Sequence, residues 1–289
     1  MQNVTLSNGV TMPQLGFGVF QVPDHKECQR ALEQALEVGY RSIDTAALYM
    51  NEQAVGDAIA ASGIARDELF ITTKLWIDQA GDDASLRAFD SSCAKLGIDT
   101  VDLYFVHQPF GDYYGAWRTL EKLYAQGRAR AIGVSNFYPD RLVDLVLHAD
   151  VTPHVNQIEA HPWFQRGADQ QVMREYGIQM ESWAPLAQGR NGLFENDTLV
   201  SIATAHEKTV AQVVLRWLLQ RDVVLIPKTV TPERMVENFN VFDFELSAED
   251  MSAIAALDAG HSVFLDHRDA EVAKRLSERV VAGAWHGRA

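Results

Sequence analysis

The sequence has little cysteine, no long apolar run and no excess of positive charge. Only two of its 289 residues are cysteines. Cys28 and Cys93 both fall on the apolar side of predicted helices, so we expect core residues and neither a disulfide framework nor a metal site. No apolar stretch approaches the roughly 20 residues that a membrane-spanning helix needs. The formal net charge of −14 disfavours nucleic acid and anionic membrane surfaces as partners.

The first residues, MQNVTLSNGV, lack the basic and apolar segments of a secretion signal. Together with the low cysteine content, this indicates a protein of the reducing cytoplasm. The length suits one α/β barrel, and no linker or shift in composition divides the chain. We therefore expect a single domain over 1–289, with a tail at 261–289 that is only partly ordered. Within the tail, 270–281 has a helical pattern and 282–289 is typical of a frayed end.

A regular alternation of short apolar runs and helical patterns follows an N-terminal hairpin, in which Asn8-Gly9 is predicted to be a two-residue turn. Several of the runs are apolar throughout, as strands buried on both faces are. The eight predicted strands are 15–20, 40–45, 69–75, 101–107, 129–135, 154–160, 178–184 and 223–229. The predicted helices between them are 25–39, 51–63, 113–127, 138–149, 168–177, 209–221 and 232–242.

Strands that alternate with helices indicate parallel βαβ units, and eight of them indicate closure into an (α/β)8 TIM barrel. The competing architecture is an open, doubly wound sheet that binds a dinucleotide at a G-x-G-x-x-G turn. The nearest match, Gly16-Phe17-Gly18, lacks the third glycine and lies inside a predicted strand. The barrel is therefore the favoured α/β fold.

Four polar residues stand at the carboxyl ends of apolar strands: Asp44, Tyr49, Lys74 and His107. In a barrel of parallel strands these ends meet at one face, where such barrels carry their chemistry. Taken singly, each has an ordinary structural explanation. The aspartate could cap a short helix, the tyrosine could pack, the lysine could lie on the surface, and the histidine could sit in a turn. Their joint occurrence favours an active site.

Together these residues suit proton donation to a carbonyl oxygen. At ~4 Å and an effective dielectric of ~20, the ammonium of Lys74 would lower the pKa of Tyr49 by roughly three units, to near 7. Asp44 would hold Lys74 charged and in place, and a neutral His107 could donate a hydrogen bond to the developing oxyanion. The set contains no nucleophile, so the carbon must be attacked by something else, such as a hydride.

Seven longer motifs, in order along the chain, resemble those of the aldo-keto reductase family. They are GYRSIDTAALYMNEQAVGDAI (39–59), ITTKLW (71–76), DLYFVHQP (102–109), GVSNF (133–137), VNQIEAHP (155–162), WAPLAQG (183–189) and IPKTVTPERMVENF (226–239). The resemblance is strongest to bacterial members that reduce diketo-sugar acids, such as 2,5-diketo-gluconate reductase, and small dicarbonyls.

The resemblance implies a barrel whose N-terminal hairpin closes its bottom, and NADPH extended across its top. It implies reduction of a carbonyl, with Tyr49 as general acid supported by Lys74 and Asp44, and with His107 orienting the substrate. The expected substrate contacts are Phe20, Tyr49, Trp76, His107 and Gln108, with 266–269 at the rim. The expected partner is a small carbonyl compound, the expected state is a monomer, and no metal is expected.

The cofactor residues also make chemical sense from their side chains. Ser135, Asn136 and Gln157 offer groups for the nicotinamide carboxamide, although Ser-Asn is also common in turns. Lys228 and Arg234 can bind an adenosine 2′-phosphate, which favours NADPH over NADH, although a solvated helix start would look the same. The full set of expected cofactor contacts is Val19, Phe20, Asp44, Ser135, Asn136, Gln157, Trp183, Ala184, Pro185, Leu186, Gln188, Gly189, Lys228, Thr229, Arg234, Glu237 and Asn238.

Two other functions remain open at this stage. The first is a non-catalytic barrel that binds a nucleotide and has a regulatory role. The second is a hydrolase or aldolase that uses Lys74 as a Schiff-base amine. The intact set of four polar residues disfavours the first, and a Lys74 that Asp44 keeps protonated disfavours the second.

Overall fold

A computed structural model describes residues 2–281, which form a parallel β-barrel surrounded by helices. The first two strands form an antiparallel hairpin, and the other eight form one parallel sheet in sequential order. The strands are β1 (Asn3–Thr5), β2 (Thr11–Pro13), β3 (Phe17–Gly18), β4 (Ser42–Asp44), β5 (Phe70–Leu75), β6 (Val101–Val106), β7 (Ala129–Ser135), β8 (Val155–Glu159), β9 (Gln179–Trp183) and β10 (Val224–Leu225). The predicted fold is confirmed.

The barrel closes between its first and last parallel strands. Leu15 and Leu225 form a parallel bridge, in which the Gly16 N–H donates to the Leu225 carbonyl at 2.8 Å and the Leu225 N–H donates to the Gln14 carbonyl at 3.0 Å. Farther along, the Gly18 N–H donates to the Pro227 carbonyl at 3.1 Å. These bonds satisfy backbone groups that an open sheet would leave as an edge.

Helices follow the strands and cover the outside of the barrel. They are α1 (His25–Val38), α2 (Glu52–Ser62), α3 (Asp82–Leu96), α4 (Tyr113–Ala125), α5 (Pro139–His148), α6 (Gly167–Glu175), α7 (Asp197–Ala205), α8 (Val210–Gln220), α9 (Pro232–Phe239), α10 (Ala248–Ala255) and α11 (Ala270–Ser277). Local signals set their ends: Asp24 caps the start of α1 through its side chain, and Gly39 ends it with a φ of 121°.

The structure differs from the predictions in three places. Helix α3 was predicted only through the placement of Cys93 on a helix, without bounds, and the shorter α7 and α10 were not predicted. The first and last predicted strands, 15–20 and 223–229, each contain only two residues of regular strand. The hairpin turn has three residues, because the Leu6 N–H donates to the Val10 carbonyl and only Gly9 has a positive φ, of 84°.

The hairpin covers the amino-terminal end of the barrel. Leu6 and Met12 are buried against the early residues of several strands, among them Phe70, Leu103 and Val155. An apolar plug at this end excludes water from the barrel interior, so the polar chemistry is confined to the opposite end.

The tail packs against the barrel as far as residue 281, and α11 lies within the predicted helical stretch 270–281. The Trp76 indole N–H donates to the Arg279 carbonyl at 2.9 Å, and the Val281 N–H donates to the Asp78 carboxylate at 3.0 Å. Leu276 is buried in the same apolar cluster as Trp76. Residues 282–289, predicted to be frayed, lie outside the described residues.

Both cysteines are free and buried, as predicted. Burial raises the pKa of each thiol to about 11, so neither is activated for chemistry. Within residues 2–281, no helix combines the length and the apolar character needed to cross a membrane.

Candidate active site

A cleft of about 990 Å³ opens at the carboxyl ends of the strands. This is at the upper end of the usual range for ligand pockets, so the cleft has room for an extended ligand. Asp44, Tyr49 and His107 line it, and Lys74 lies fully buried beneath. The structure therefore brings the four predicted catalytic residues together, and the explanation of Lys74 as a surface lysine is wrong.

Lys74 and Asp44 form a buried ion pair. The Lys74 Nζ donates to Asp44 Oδ1 at 2.5 Å and to the Thr45 carbonyl at 2.9 Å. The other Asp44 oxygen accepts a hydrogen bond from the Gln157 amide at 3.0 Å. Burial alone would lower the pKa of Lys74, but the charges of Asp44 and Tyr49 outweigh it and the pKa is raised. Lys74 is therefore a fixed positive charge.

Tyr49 stands directly above this pair. It belongs to a short 3₁₀ turn, Ala47–Tyr49, that follows β4, and the Lys74 Nζ lies 5.2 Å from the centre of its ring. The predicted pKa near 7 is wrong for this environment. Burial raises the pKa of Tyr49 to about 12, the attraction of Lys74 only partly offsets it, and Asp44 and Glu181 raise it further. The phenol therefore carries its proton at neutral pH.

His107 follows β6 and completes the wall beside Tyr49, with ring centres 5.7 Å apart. Burial, assisted by the charge of Lys74, holds the pKa of His107 well below its usual value, so the imidazole is neutral. Its Nδ1 is buried and has no hydrogen-bond partner within residues 2–281. The proton is therefore assigned to Nε2, the nitrogen that can reach a ligand in the cleft.

Glu181 is a buried carboxyl group that the sequence reasoning missed. It lies on β9, paired with Gln157 on β8, and is 1% exposed. Burial, followed by the charge of Asp44, raises its pKa to about 8, while Lys74 and a hydrogen bond from Gln157 oppose the rise. Near pH 7 the carboxyl group of Glu181 therefore carries a proton beside the ammonium of Lys74. The sequence did contain a signal for Glu181. Side chains alternate between the two faces of a strand, so Glu181 must face the same side of β9 as Trp183.

The predicted substrate contacts all line the cleft. Phe20 is 44% exposed, and its ring centre lies 5.0 Å from that of Tyr49. Trp76 is buried and meets His107 edge-on at 4.9 Å. The Gln108 side chain is buried, and its Oε1 has no hydrogen-bond partner in the part of the chain that the structure describes. An apolar surface and an unpaired polar atom therefore flank the reactive groups.

The residues expected to hold a carboxamide are hydrogen-bonded to one another. The Asn136 amide donates to the His107 carbonyl at 3.1 Å and to the Ser135 hydroxyl at 3.0 Å. Its oxygen accepts the Trp183 indole N–H at 2.8 Å, and the Ser135 hydroxyl donates to the Gln157 carbonyl at 2.9 Å. The network fixes the Trp183 ring beside the cleft and leaves acceptor positions on Ser135 and Gln157 for a ligand amide.

Lys228 and Arg234 line the far end of the cleft. Both are exposed, and neither forms an ion pair with another residue in 2–281. Arg234 lies in the first turn of α9, whose N-cap, Thr231, makes no side-chain capping bond. An uncapped helix start and two unpaired cations in an acidic protein are suited to an anion such as a phosphate.

The other predicted cofactor residues also line the cleft, with one exception. Those that line it are Ala184, Pro185, Leu186, Gln188, Gly189, Thr229, Glu237 and Asn238. Val19 does not, because its side chain is buried in the main core. Its backbone carbonyl accepts a hydrogen bond from Asn51 at 2.9 Å, so Val19 supports the cleft from behind.

Several residues that line the cleft were not predicted. The most prominent are Arg190, Phe264 and Leu265, which stand beside His267 of the predicted rim 266–269. The Phe264 ring centre lies 5.4 Å from that of Trp183, and the guanidinium of Arg190 lies 4.3 Å from the Phe264 ring and donates to the Val263 carbonyl at 2.7 Å. The stretch 266–269 was named as a possible rim, but no periodic pattern indicated which of its side chains faces inward. Within residues 2–281, no cluster of His, Cys, Asp and Glu side chains is arranged to hold a metal ion.

Comparison with known proteins agrees with this geometry. The model of the aldo/keto reductase family matches residues 14–259. The chain is 48% identical over 261 residues to glyoxal reductase of Bacillus subtilis, covering 90% of this chain and 94% of that protein. It is 47% identical over 260 residues to methylglyoxal reductase DkgA of Yersinia pestis, covering 89% and 93%.

Among solved structures, a mutant of the protein Gox0644 in complex with NADPH superposes with a TM-score of 0.88 at 40% identity. The match covers 93% of this chain and 98% of that one. A family match over most of the chain and full-length relatives well above 30% identity lead to the same assignment. This chain belongs to the aldo/keto reductase family.

Proposed function

We propose that this chain is an NADPH-dependent reductase that converts the carbonyl groups of small aldehydes, dicarbonyls or keto-sugar acids into alcohols. One observation carries the proposal. A protonated Tyr49 and a neutral His107 face one cleft, directly above the buried pair of Lys74 and Asp44. NADPH, when bound, supplies the hydride for the carbonyl carbon.

Tyr49 would donate the proton to the substrate oxygen. With its pKa raised to about 12, its phenol keeps the proton at neutral pH until a stronger base, the developing alkoxide, is present. The phenolate left behind would be stabilised by Lys74. If the 5.2 Å from the Lys74 Nζ to the centre of the Tyr49 ring is taken as the separation, and the effective dielectric is ~20, this attraction is about 3 kcal/mol. Solvent then returns the proton to Tyr49.

His107 would orient the substrate. A neutral imidazole with its proton on Nε2 can donate to the carbonyl oxygen without competing with Tyr49 for the proton. Donors fixed in place before the reaction stabilise the oxyanion without a cost of reorganisation. The hydrogen bond between Asn136 and the His107 carbonyl supports its position.

The cofactor assignment rests on the cations and the aromatic ring along the cleft. Lys228 and Arg234 would bind the 2′-phosphate that distinguishes NADPH from NADH. Trp183, Ser135 and Gln157 would contact the nicotinamide. The solved NADPH complex of Gox0644 supports the choice of cofactor, and the names glyoxal reductase and methylglyoxal reductase support small dicarbonyls among the substrates.

The proposal is tested by following the oxidation of NADPH with a panel of aldehydes, dicarbonyls and keto-sugar acids. Tyr49→Phe should lower kcat by about 100- to 10,000-fold, because it removes the general acid, and should leave the Kd for NADPH nearly unchanged. Tyr176→Phe, at a surface tyrosine, is the matched control and should behave as wild type. Turnover of no carbonyl, or near-native turnover by Tyr49→Phe, would refute the proposal.

A Schiff-base function for Lys74 is not favoured. Its raised pKa and its two acceptors, Asp44 and the Thr45 carbonyl, leave no free amine to attack a carbonyl. Treatment with borohydride in the presence of a carbonyl substrate should therefore attach nothing to Lys74.

A further inference from the structure

We propose that His267 binds a second oxygen of the substrate and thereby selects oxygenated carbonyl compounds, such as 2-oxoaldehydes and keto-sugars, over unsubstituted aldehydes. The inference rests on the proposed function, because it concerns the substrate of the same cleft. It adds a specificity-determining residue that lies in the segment after α10, far along the chain from Tyr49 and His107.

His267 is an unpaired polar ring that faces the cleft. It is 8% exposed and lines the cleft together with Leu265. Within residues 2–281, its ring nitrogens make no hydrogen bond. The nitrogens are not among the buried side-chain atoms that lack a partner, so they are open to the cleft, where a ligand can replace solvent. A ligand oxygen would satisfy the ring.

The surroundings of His267 keep it neutral. Burial lowers its pKa to about 4, and the nearby Arg166 acts in the same direction, while Glu159 and Asp266 oppose the shift. A neutral imidazole presents one donor and one acceptor. It can therefore donate a hydrogen bond to a carbonyl oxygen, and it can donate to or accept from a hydroxyl group. It has no charge with which to attract a carboxylate.

Aromatic neighbours fix the plane of the ring. The Phe110 ring lies nearly parallel to it at 6.4 Å between centres, and Tyr138 lies at 6.5 Å. His267 and His107 line the same cleft, and Phe110 beside His267 packs in one apolar cluster with Trp76, whose ring meets His107 edge-on at 4.9 Å. One bound molecule that presents its reacting oxygen to His107 can thus present another oxygen to His267.

Buried hydrogen bonds hold the segment that carries His267. The Glu159 carboxylate, at the end of β8, accepts the Ser262 hydroxyl at 2.5 Å and the Val263 N–H at 3.0 Å. His161 contacts the same carboxylate at 2.9 Å. A polar group held in place before binding loses less conformational entropy when the ligand arrives. The segment is therefore a preformed wall of the cleft.

The test compares methylglyoxal with propanal, which have the same carbon chain and differ in the second oxygen. His267→Phe keeps a packed ring and removes hydrogen bonding. We expect kcat/KM for methylglyoxal to fall about tenfold, mainly through KM, as loss of one hydrogen bond predicts. The value for propanal should change less than about threefold, which is the expected scatter for a packing change. His267→Asn, which restores a donor and an acceptor, should recover part of the preference for methylglyoxal.

Phe110→Leu is the matched control, because it disturbs the packing of His267 without removing its nitrogens. It should change both substrates by the same factor. If His267→Phe also changes both equally, or changes neither, His267 does not bind the second oxygen. That result would leave the proposed function intact if the wild type still reduces propanal with NADPH. Failure of the wild type to reduce any carbonyl compound of the panel with NADPH would overturn both proposals.

Discussion

Glu181 should act as a reserve counter-ion for Lys74 when Asp44 is removed. For the separation of 2.5 Å between Lys74 Nζ and Asp44 Oδ1, and an effective dielectric of ~20, the attraction is about 7 kcal/mol. The desolvation of two ions, several kcal/mol each, largely offsets it. The pair therefore adds little net stability, but loss of one partner alone should cost about 3–5 kcal/mol.

Asp44→Asn should avoid most of this cost. The charge of Asp44 is one of the two causes that keep the pKa of Glu181 near 8. Without that charge, the attraction of Lys74 should ionise Glu181 at pH 7 and supply a new counter-ion. We expect Asp44→Asn to lose about 2 kcal/mol or less of the free energy of unfolding, roughly the value of one charged hydrogen bond. Asp44→Asn combined with Glu181→Gln should lose about 3–5 kcal/mol.

The assay is unfolding in guanidinium chloride at pH 7, followed by tryptophan fluorescence, for the wild type, both single variants and the double variant. Glu181→Gln alone completes the double-mutant cycle, from which the coupling free energy of the two residues is calculated. A coupling free energy of about 2 kcal/mol would support the reserve role, and costs that add within about 0.5 kcal/mol would refute it. The pH dependence gives a second readout. Because the folded pKa of Glu181 lies above the unfolded value near 4.5, the wild type should lose stability as pH rises from about 4.5 to about 8, and Glu181→Gln should lose less.

Three further predictions concern other parts of the molecule. Arg234→Ala should weaken NADPH binding by about 10- to 100-fold and NADH binding little, since only NADPH carries the 2′-phosphate. Arg275→Ala on α11 is the control. If Arg234→Ala weakens the binding of both cofactors equally, the assignment of the 2′-phosphate site is wrong. The lowered pKa of His267, about 4 against an ordinary 6.5, means that the unfolded chain binds more protons between these values. Its contribution to stability should therefore fall as pH drops from about 6.5 to 4, and a comparison of melting temperatures should show a flatter dependence for His267→Phe. A Cβ at Gly133 would lie 2.6 Å from Phe105 and 2.7 Å from the Val155 carbonyl. Gly133→Ala should therefore lower the free energy of unfolding by about 1–3 kcal/mol or more. Gly167→Ala, whose Cβ meets nothing within 4 Å, should leave the free energy of unfolding nearly unchanged.

The barrel was predictable because its strands are buried on both faces and therefore appear as apolar runs. The bounds of helix α3 were not, and its buried face shows why. That face includes Ser85 and Ser92 as well as Phe89 and Cys93, so polar residues interrupt the apolar period that identifies a helix. The two strands that close the barrel are shorter than their apolar runs, because part of each run continues as a loop. The composition of a run does not show where the strand ends and the loop begins.

The candidate site was predictable in position and not in electrostatics. Polar residues after apolar strands converge in any parallel barrel, which is why Asp44, Tyr49, Lys74 and His107 could be grouped from their positions alone. The expected pKa of Tyr49 was wrong because it considered only the attraction of Lys74. Burial acts in the opposite direction and is the larger effect, and burial is a property of the folded molecule that sequence spacing does not contain.

Glu181 is a residue whose position could be predicted from the sequence and whose protonation could not. Once Trp183 is placed on the cleft, the alternation of β9 requires the residue two positions earlier to face the barrel interior, one layer deeper. Its protonation follows only from neighbours on other strands, Asp44 and Lys74. That protonation matters for the proposed mechanism, in which an ionised Glu181 would add a second negative charge beside the phenolate of Tyr49. The burial that raises the pKa of Glu181 thus keeps Lys74 available to stabilise Tyr49.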